Sequence, residues 1–231
     1  MQELNGILLV DKPQNWTSFD VVHKIRNTIY ASMPAEHKKK IKVGHSGTLD
    51  PLATGLLVVL VGNATKMAQE YTKQDKTYEA VAKLGFNSET DDEEGEKQEI
   101  SKNIPTEEEI KTALDSFKGE TSQIPPQFSA IKVGGKKAYD VARRGGNIKL
   151  EPRLITVESI ELNNYEYPLV SFTCDVSSGT YIRSMARDLG ENLGTGAYLN
   201  SLRRTRVGKF NVENSIPIKE LTLELINKNI Q

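Results

Sequence analysis

The sequence predicts an α+β protein built on a mixed sheet, and three observations lead there. Some segments of strand length alternate apolar with polar residues or run apolar without a break. Other segments carry apolar residues at helical spacing. The two kinds are interleaved without a regular βαβ repeat or any internal repeat.

Ile7 to Val10 reads as a short buried strand, closed by Asp11-Lys12-Pro13. A helix is expected to start near Thr17 or Ser18, with Val22, Ile25 and Ile29 as its apolar stripe and Pro34 beyond its end. A basic loop (Lys38, Lys39, Lys40, Lys42) leads into the glycine-rich run Gly44 to Pro51, and Leu56 to Val61 is the next buried strand. Tyr78, Ala80, Ala82 and Leu84 share one face of a strand, and the acidic stretch after it reads as a loop. Thr106 with Glu109 makes a capping-box pattern ahead of Ile110, Ala113, Leu114 and Phe117. Ile124 to Gly146, rich in Pro, Gly and Lys, has the look of an insertion. Val170, Phe172, Cys174 and Val176 alternate as a strand; Ser177 to Thr180 then opens a helix carrying Ile182, Met185, Leu189 and Leu193. Ile218, Leu221, Leu225 and Ile226 form a last amphipathic stretch.

A chain of 231 residues, 37% of them hydrophobic, can bury a substantial core. Its 26% charged residues and ordinary Gly and Pro content argue against a disordered or fibrous class. The lone Cys174 leaves no intrachain disulfide and no cysteine metal cluster, which suits a reducing, cytoplasmic setting. The short, acidic start does not read as a signal peptide, and nothing later reads as a membrane span. Net charge is −1, but it is unevenly spread. From Glu89 to Glu109 ten acids oppose two lysines, a local net of −8. Ser129 to Arg153 carries a net of +5 and Arg183 to Lys209 a net of +4. Two basic stretches could form a phosphate-binding face, or simply a solvated surface of uneven charge.

Chemistry points to Lys42 to Gly62, KVGHSGTLDPLATGLLVVLVG. Glycines around His45 and Asp50 permit tight turns, and Pro51 stiffens the step after Asp50. A carboxylate on a constrained loop leading into a buried strand is held as a catalytic group must be. The plainer reading is an Asx-turn, since Asp-Pro is a common turn pair.

GHSGTLDPLATG closely resembles the signature loop of the TruB family, the tRNA pseudouridine-55 synthases, and of the related catalytic subunit of H/ACA particles. Other segments match in the same order. Gly6 to Pro13 looks like the family's opening strand and Lys-Pro turn, and Lys76-Thr77-Tyr78 like the strand of its active-site tyrosine. Gly85 to Gly95 fits its Gly-x-x-Thr-x-Thr-x-Asp-x-x-Gly run, with Ser88 in the first Thr position. Pro125 to Lys132 resembles the start of its RNA-gripping insertion, with Phe128 where Tyr is usual. Ser178 to Arg183 is similar to the motif that brings an arginine to the catalytic aspartate, and Leu202 to Thr205 to the closing segment.

The resemblance implies a pseudouridine synthase-like fold, with a mostly antiparallel sheet flanked by helices. One catalytic domain would span 1–231, with a thumb-like insertion at about 122–150. The chain ends soon after Ile218, so a further C-terminal domain of the PUA type is not expected, and Leu52 to Gly55 looks more bacterial than archaeal. The implied reaction breaks the N1 glycosidic bond of uridine, turns the uracil and rejoins it through C5. It has no redox step, so neither cofactor nor metal is expected. Asp50 would attack C1′ or remove the proton on C2′, and the sequence leaves both routes open. Arg183 would favour its charged form. Tyr78 would stack on the uracil and take part in proton transfer at C5. Ile182 and Leu202 would wall the base pocket, and His45 would fill the gap left by the flipped base. Lys12 would support the loop or a phosphate. Lys132, Lys136, Lys137, Arg143 and Arg144 on the insertion, with Arg203 and Arg204, would contact the RNA backbone. The acids from Glu89 to Glu99 would form a solvated loop facing away from RNA. The expected partner is the T-arm stem-loop of transfer RNA, bound by a monomer without a membrane.

Two other readings compete. A glycoside hydrolase would need a second well-placed acid, and the motif loops show none. A non-catalytic RNA-binding module, or a guide-RNA particle's catalytic subunit, is the other.

Overall fold

In chain order the computed structural model, which describes residues 4–31 and 41–231, begins with β1 (Gly6–Lys12), α1 (Ser18–Ala31), β2 (Val43–Ser46) and β3 (Thr54–Val61). A 3-10 turn, Gly62–Met67, runs into the short α2 (Ala68–Thr72). There follow β4 (Lys76–Leu84), β5 (Phe86–Ser88), β6 (Lys97–Glu99), α3 (Glu107–Asp115) and β7 (Gly119–Gln123). Next come β8 (Lys132–Val133), β9 (Lys136–Lys137), α4 (Ala138–Ala142), β10 (Arg153–Glu166) and β11 (Leu169–Val176). The chain continues through α5 (Ile182–Asn192), β12 (Ala197–Val207), β13 (Phe210–Asn211), β14 (Ile216–Pro217) and α6 (Leu223–Asn229). The class is α+β, with a mixed, mostly antiparallel sheet flanked by helices. Pro34, Lys38, Lys39 and Lys40 lie outside the described residues.

The chain makes two compact units: residues up to Tyr78 together with Leu202–Gln231, and Glu79–Ser201. Strands β4 and β12 each pass from one unit into the other.

In the first unit β1 pairs with β3 antiparallel from Gly6↔Val61 to Lys12↔Gly55, and with β14 in parallel. The even residues of β1, Leu8 and Val10, join Val21, Val22, Ile25 and Ile29 of α1, Leu57, Val59 and Val61 of β3, and Ile226 of α6. The odd residues, Ile7 and Leu9, pack with Leu56, Val58, Leu60, Val207 and Phe210. With both faces covered, β1 and β3 read as unbroken apolar runs. At the head of α1, Thr17 and Asp20 each accept from the other's backbone N–H, which is a capping box with Asp in place of Glu.

In the second unit β10 pairs antiparallel with both β7 and β11, and α3 packs on β10. The inward face of β11 is Val170, Phe172, Cys174 and Val176, all buried, and Thr106 with Glu109 forms the expected capping box. The acidic stretch holds more structure than a loop, because β5 and β6 pair across it. The longest strand, β10, was not expected from sequence. Its register slips between Val157 and Ser159 and between Leu162 and Asn164, so no clean two-residue period survives. The last amphipathic stretch is two pieces, a 3-10 turn at Ile218–Glu220 and α6.

Candidate active site

Asp50 lies in the loop between β2 and β3, and the first unit fixes the backbone on both sides of it. Ser18 Oγ, buried in α1, accepts from Leu49 N–H at 2.8 Å and lies 3.1 Å from Leu49 O as donor. The Pro51 carbonyl accepts from Asn15 N–H at 2.8 Å and from Lys12 Nζ at 3.4 Å. Ala53 N–H closes the turn onto Asp50 O at 3.1 Å. Asp50 itself is half-buried.

The far end of the loop rests on Arg204. One edge of β3 pairs with β12 at Thr54 and Gly55 and with β2 from Val58 to Val61. At Leu56, between those pairings, Arg204 Nε donates to the open carbonyl at 2.8 Å, and Nη2 donates to Gly47 O at 3.1 Å. The β12 backbone runs so close that a Cβ at Gly55 would lie 2.2 Å from Arg204 O; Gly55 has φ +102° and Gly47 φ +86°. Both positions require glycine.

These contacts correct one expectation and choose between the alternatives of another. Arg204, 1% exposed, is a strut of the loop that carries Asp50 and not an RNA contact. Lys12, 0% exposed, donates to the carbonyls of Pro13, Trp16 and Pro51, so it supports the loop and cannot reach a phosphate. Arg203 stays partly exposed, with its two terminal nitrogens on the carboxylate of Asp11 at 3.1 and 2.8 Å.

His45 lies on β2 opposite Val59. Its Nδ1 is buried without a hydrogen-bond partner among the described residues, and burial, then the Arg204 charge, hold its pKa below the ordinary histidine value. Lys76, which sequence reasoning assigned no role, is buried at the start of β4; burial and Arg204 lower its pKa to about 8. Tyr78, two residues on, is buried. Leu202 is half-buried, and its carbonyl accepts from Thr54 Oγ1 at 3.4 Å.

In the second unit Ile182 and Arg183 are buried at the head of α5. Arg183 Nη1 donates to Thr90 O at 3.1 Å and lies 3.6 Å from Asp92 Oδ2, and Nη2 donates to Phe128 O at 3.0 Å. Asp92 is buried and accepts from Thr90 Oγ1 and from Glu94 N–H; Ser88 Oγ donates to Asp92 O. A Cβ at Gly95 would sit 2.5 Å from Thr90 Oγ1 and 2.6 Å from Ser88 Oγ. Asp91, at φ 60°, pairs with Arg187 at 3.0 Å. The acidic run is therefore not simply a solvated loop, because Asp91 and Asp92 turn inward and hold two arginines. The signal that could have found them is their place inside the Gly85 to Gly95 motif.

On the insertion, Gly134 (φ 57°) and Gly135 (φ 81°) close a two-residue turn of the primed kind between β8 and β9. Lys132, Lys136, Arg143 and Arg144 are exposed. Lys137 Nζ donates to Tyr139 OH at 3.0 Å, and Lys137 and Arg143 lie over the Tyr139 ring at 5.2 and 5.5 Å. Among the described residues no group of three or more His, Cys, Asp or Glu side chains could hold a metal, and no helix is long and apolar enough to cross a membrane.

The fold and the glycine-bound carboxylate loop belong to the pseudouridylate synthases. In the structure described as a Cbf5-Nop10-Gar1 complex, a chain with 30% identity aligns at a TM-score of 0.74 over 98% of this chain and 59% of that one. A chain of an H/ACA RNP bound to a substrate RNA containing 2′-deoxyuridine aligns at 0.67, with 29% identity over 94% and 52%. This chain thus spans somewhat over half the length of those two. More specifically, the chain belongs to the TruB family: the model of the TruB family pseudouridylate synthase N-terminal domain matches residues 35–182. That of the tRNA pseudouridylate synthase B C-terminal domain matches residues 183–229. Among curated relatives, the tRNA pseudouridine synthase B of Chlamydia abortus is 46% identical over 91% of this chain and 86% of its own length. Those of Opitutus terrae (42%; 99% and 93%) and Phocaeicola vulgatus (43%; 97% and 95%) also cover nearly both lengths.

Proposed function

We propose that this chain isomerises uridine to pseudouridine in transfer RNA, at position 55 in the T-arm, as a monomer and without cofactor or metal. The observation that carries the reading is the loop with Asp50 at its centre. Its neighbours on both sides are fixed by buried donors and acceptors, in a chain alike over nearly its whole length to enzymes named tRNA pseudouridine synthase B.

The chemistry follows from the residues. The target base leaves its stack at a cost of about a few kcal/mol, and His45 fills the gap. The Asp50 carboxylate then meets the ribose, by attack on C1′ or by removal of the C2′ proton, and the C1′–N1 bond breaks. The freed uracil turns between Tyr78 and the apolar walls of Ile182 and Leu202. It rejoins through C5, and the C5 proton is transferred to N1. Arg183 takes the part the resemblance implies, that of the arginine serving the catalytic aspartate. Because the atoms of substrate and product are the same, no oxidant, reductant or second substrate enters. We read the chain as one catalytic domain with an insertion at about 122–150, whose exposed Lys132, Lys136, Arg143 and Arg144 meet phosphates. The buried lone Cys174 suits a reducing cytoplasm.

The test is to map pseudouridine in a T-arm stem-loop after incubation with purified protein and nothing added. Wild-type protein is expected to modify the one target uridine. Asp50→Asn should bind the stem-loop with unchanged affinity and form no product; full turnover by this variant would overturn the assignment.

A further inference from the structure

We propose that Ser184 and Arg187 are positioning residues that dock the root of the basic insertion onto the helix carrying Arg183, and so set the angle at which the insertion offers its cations to RNA. The proposal rests on the reading that this chain modifies RNA through that insertion.

The chain enters the insertion from β7 at Gln123, which is buried. The Gln123 amide makes a two-way pair with the Tyr181 backbone: Nε2 donates to Tyr181 O at 3.1 Å, and Oε1 accepts from Tyr181 N–H at 2.9 Å. The next carbonyl, Ile124 O, accepts from Ser184 Oγ at 2.8 Å and from Arg187 Nη2 at 3.0 Å. Phe128 O accepts from Arg183 Nη2 at 3.0 Å. Residues 183, 184 and 187 share one face of a helix, so a single side of α5 grips the insertion at Ile124 and Phe128.

Beyond the root, backbone bonds carry the constraint outward. Tyr139 N–H donates to Ser129 O at 3.0 Å and Ala138 N–H to Ile131 O at 2.8 Å, which leads directly into the β8–β9 turn and its exposed Lys132 and Lys136. The Gln127 side chain pairs with Ile148 in both directions, closing the insertion on itself.

Arg187 could instead be a phosphate ligand, but its surroundings argue against that. Nε and Nη2 lie 2.9 and 2.7 Å from Asp188 Oδ1, and Nη1 lies 3.0 Å from Asp91 Oδ2. Two carboxylates around one guanidinium leave a net negative cluster, which repels phosphate and orients the arginine. Those carboxylates aim one of its two remaining donors at Ile124.

The test uses Ser184→Ala, Arg187→Ala and Asp91→Asn in the full chain, with initial rates on the T-arm stem-loop and equilibrium binding at several salt concentrations. Asparagine tolerates the left-handed backbone at position 91, so that variant spares the turn. Ser184→Ala and Arg187→Ala should each raise KM at least fivefold with kcat within twofold, and should flatten the salt dependence of binding. Asp91→Asn should give a smaller rise of the same kind. Added to Lys136→Ala/Lys137→Ala, Ser184→Ala should weaken binding little further, because the cations it positions are already gone. An unchanged KM, a loss confined to kcat, or a full additive loss in the combined variant would overturn the proposal. Should Arg187→Ala fail to fold, Ser184→Ala and Asp91→Asn decide it. A wild-type chain that binds the stem-loop but makes no pseudouridine sinks the catalytic reading alone, since the binding arm still tests the docking.

Discussion

Lys12 and Arg204 direct their donors to main-chain carbonyls on either side of Asp50, while Ser18 holds the Leu49 peptide between them. Motif reading recognised both cations but could not tell a buried one from an exposed one, because a Lys-Pro turn and an Arg-Arg pair look alike in either place. Asp50, Tyr78 and Arg183 stood out in the sequence because each lies in a segment that resembles one of the family's motifs. Asp91 and Asp92 were not, since a dense acidic run normally means solvent. His45 gives a test at this scale. Its folded-state pKa is depressed below 6.5 by burial first and Arg204 second, so the unfolded chain binds the proton more readily. Stability should fall as pH drops below 6.5, until the folded-state pKa is passed. Urea midpoints measured stepwise on acidification should show this decline in the wild type and a shallower one in His45→Gln; parallel curves would remove His45 as its source.

At the scale of elements, the strands whose faces are both covered, β1 and β3, were plain in the sequence because nothing polar interrupts them. The long β10 was hidden by two register slips, and β12 by the polar run Arg203-Arg204-Thr205-Arg206. The β8–β9 turn was visible only as a Gly-Gly pair among lysines, yet it puts Lys136 at a tip. Exposed cations on a short hairpin bind phosphates through counterion release, so their removal shows in the salt slope as well as the affinity. Replacing Lys136 and Lys137 together with Ala should weaken stem-loop binding and lower the slope of log K against log salt by about one for each phosphate no longer neutralised. An unchanged slope would take the hairpin out of the interface.

For the molecule as a whole, the first unit is assembled from the two ends of the chain. Ile216, Ile218, Leu221 and Ile226 complete the core against which β1 and α1 pack, and Val207 and Phe210 cover the opposite face of β1. A chain cut after Ser201 would strip part of the cover from both faces. Its residues up to Tyr78 should be digested by a dilute protease much faster than in the full chain; equal resistance would show that the amino-terminal part stands alone. The distance in sequence between Gly47 and Arg204 has a further result during synthesis. A ribosome that has already released the aspartate loop must add about 150 more residues before the guanidinium that braces it emerges, so an unfinished chain carries the acid without its support until translation is nearly over.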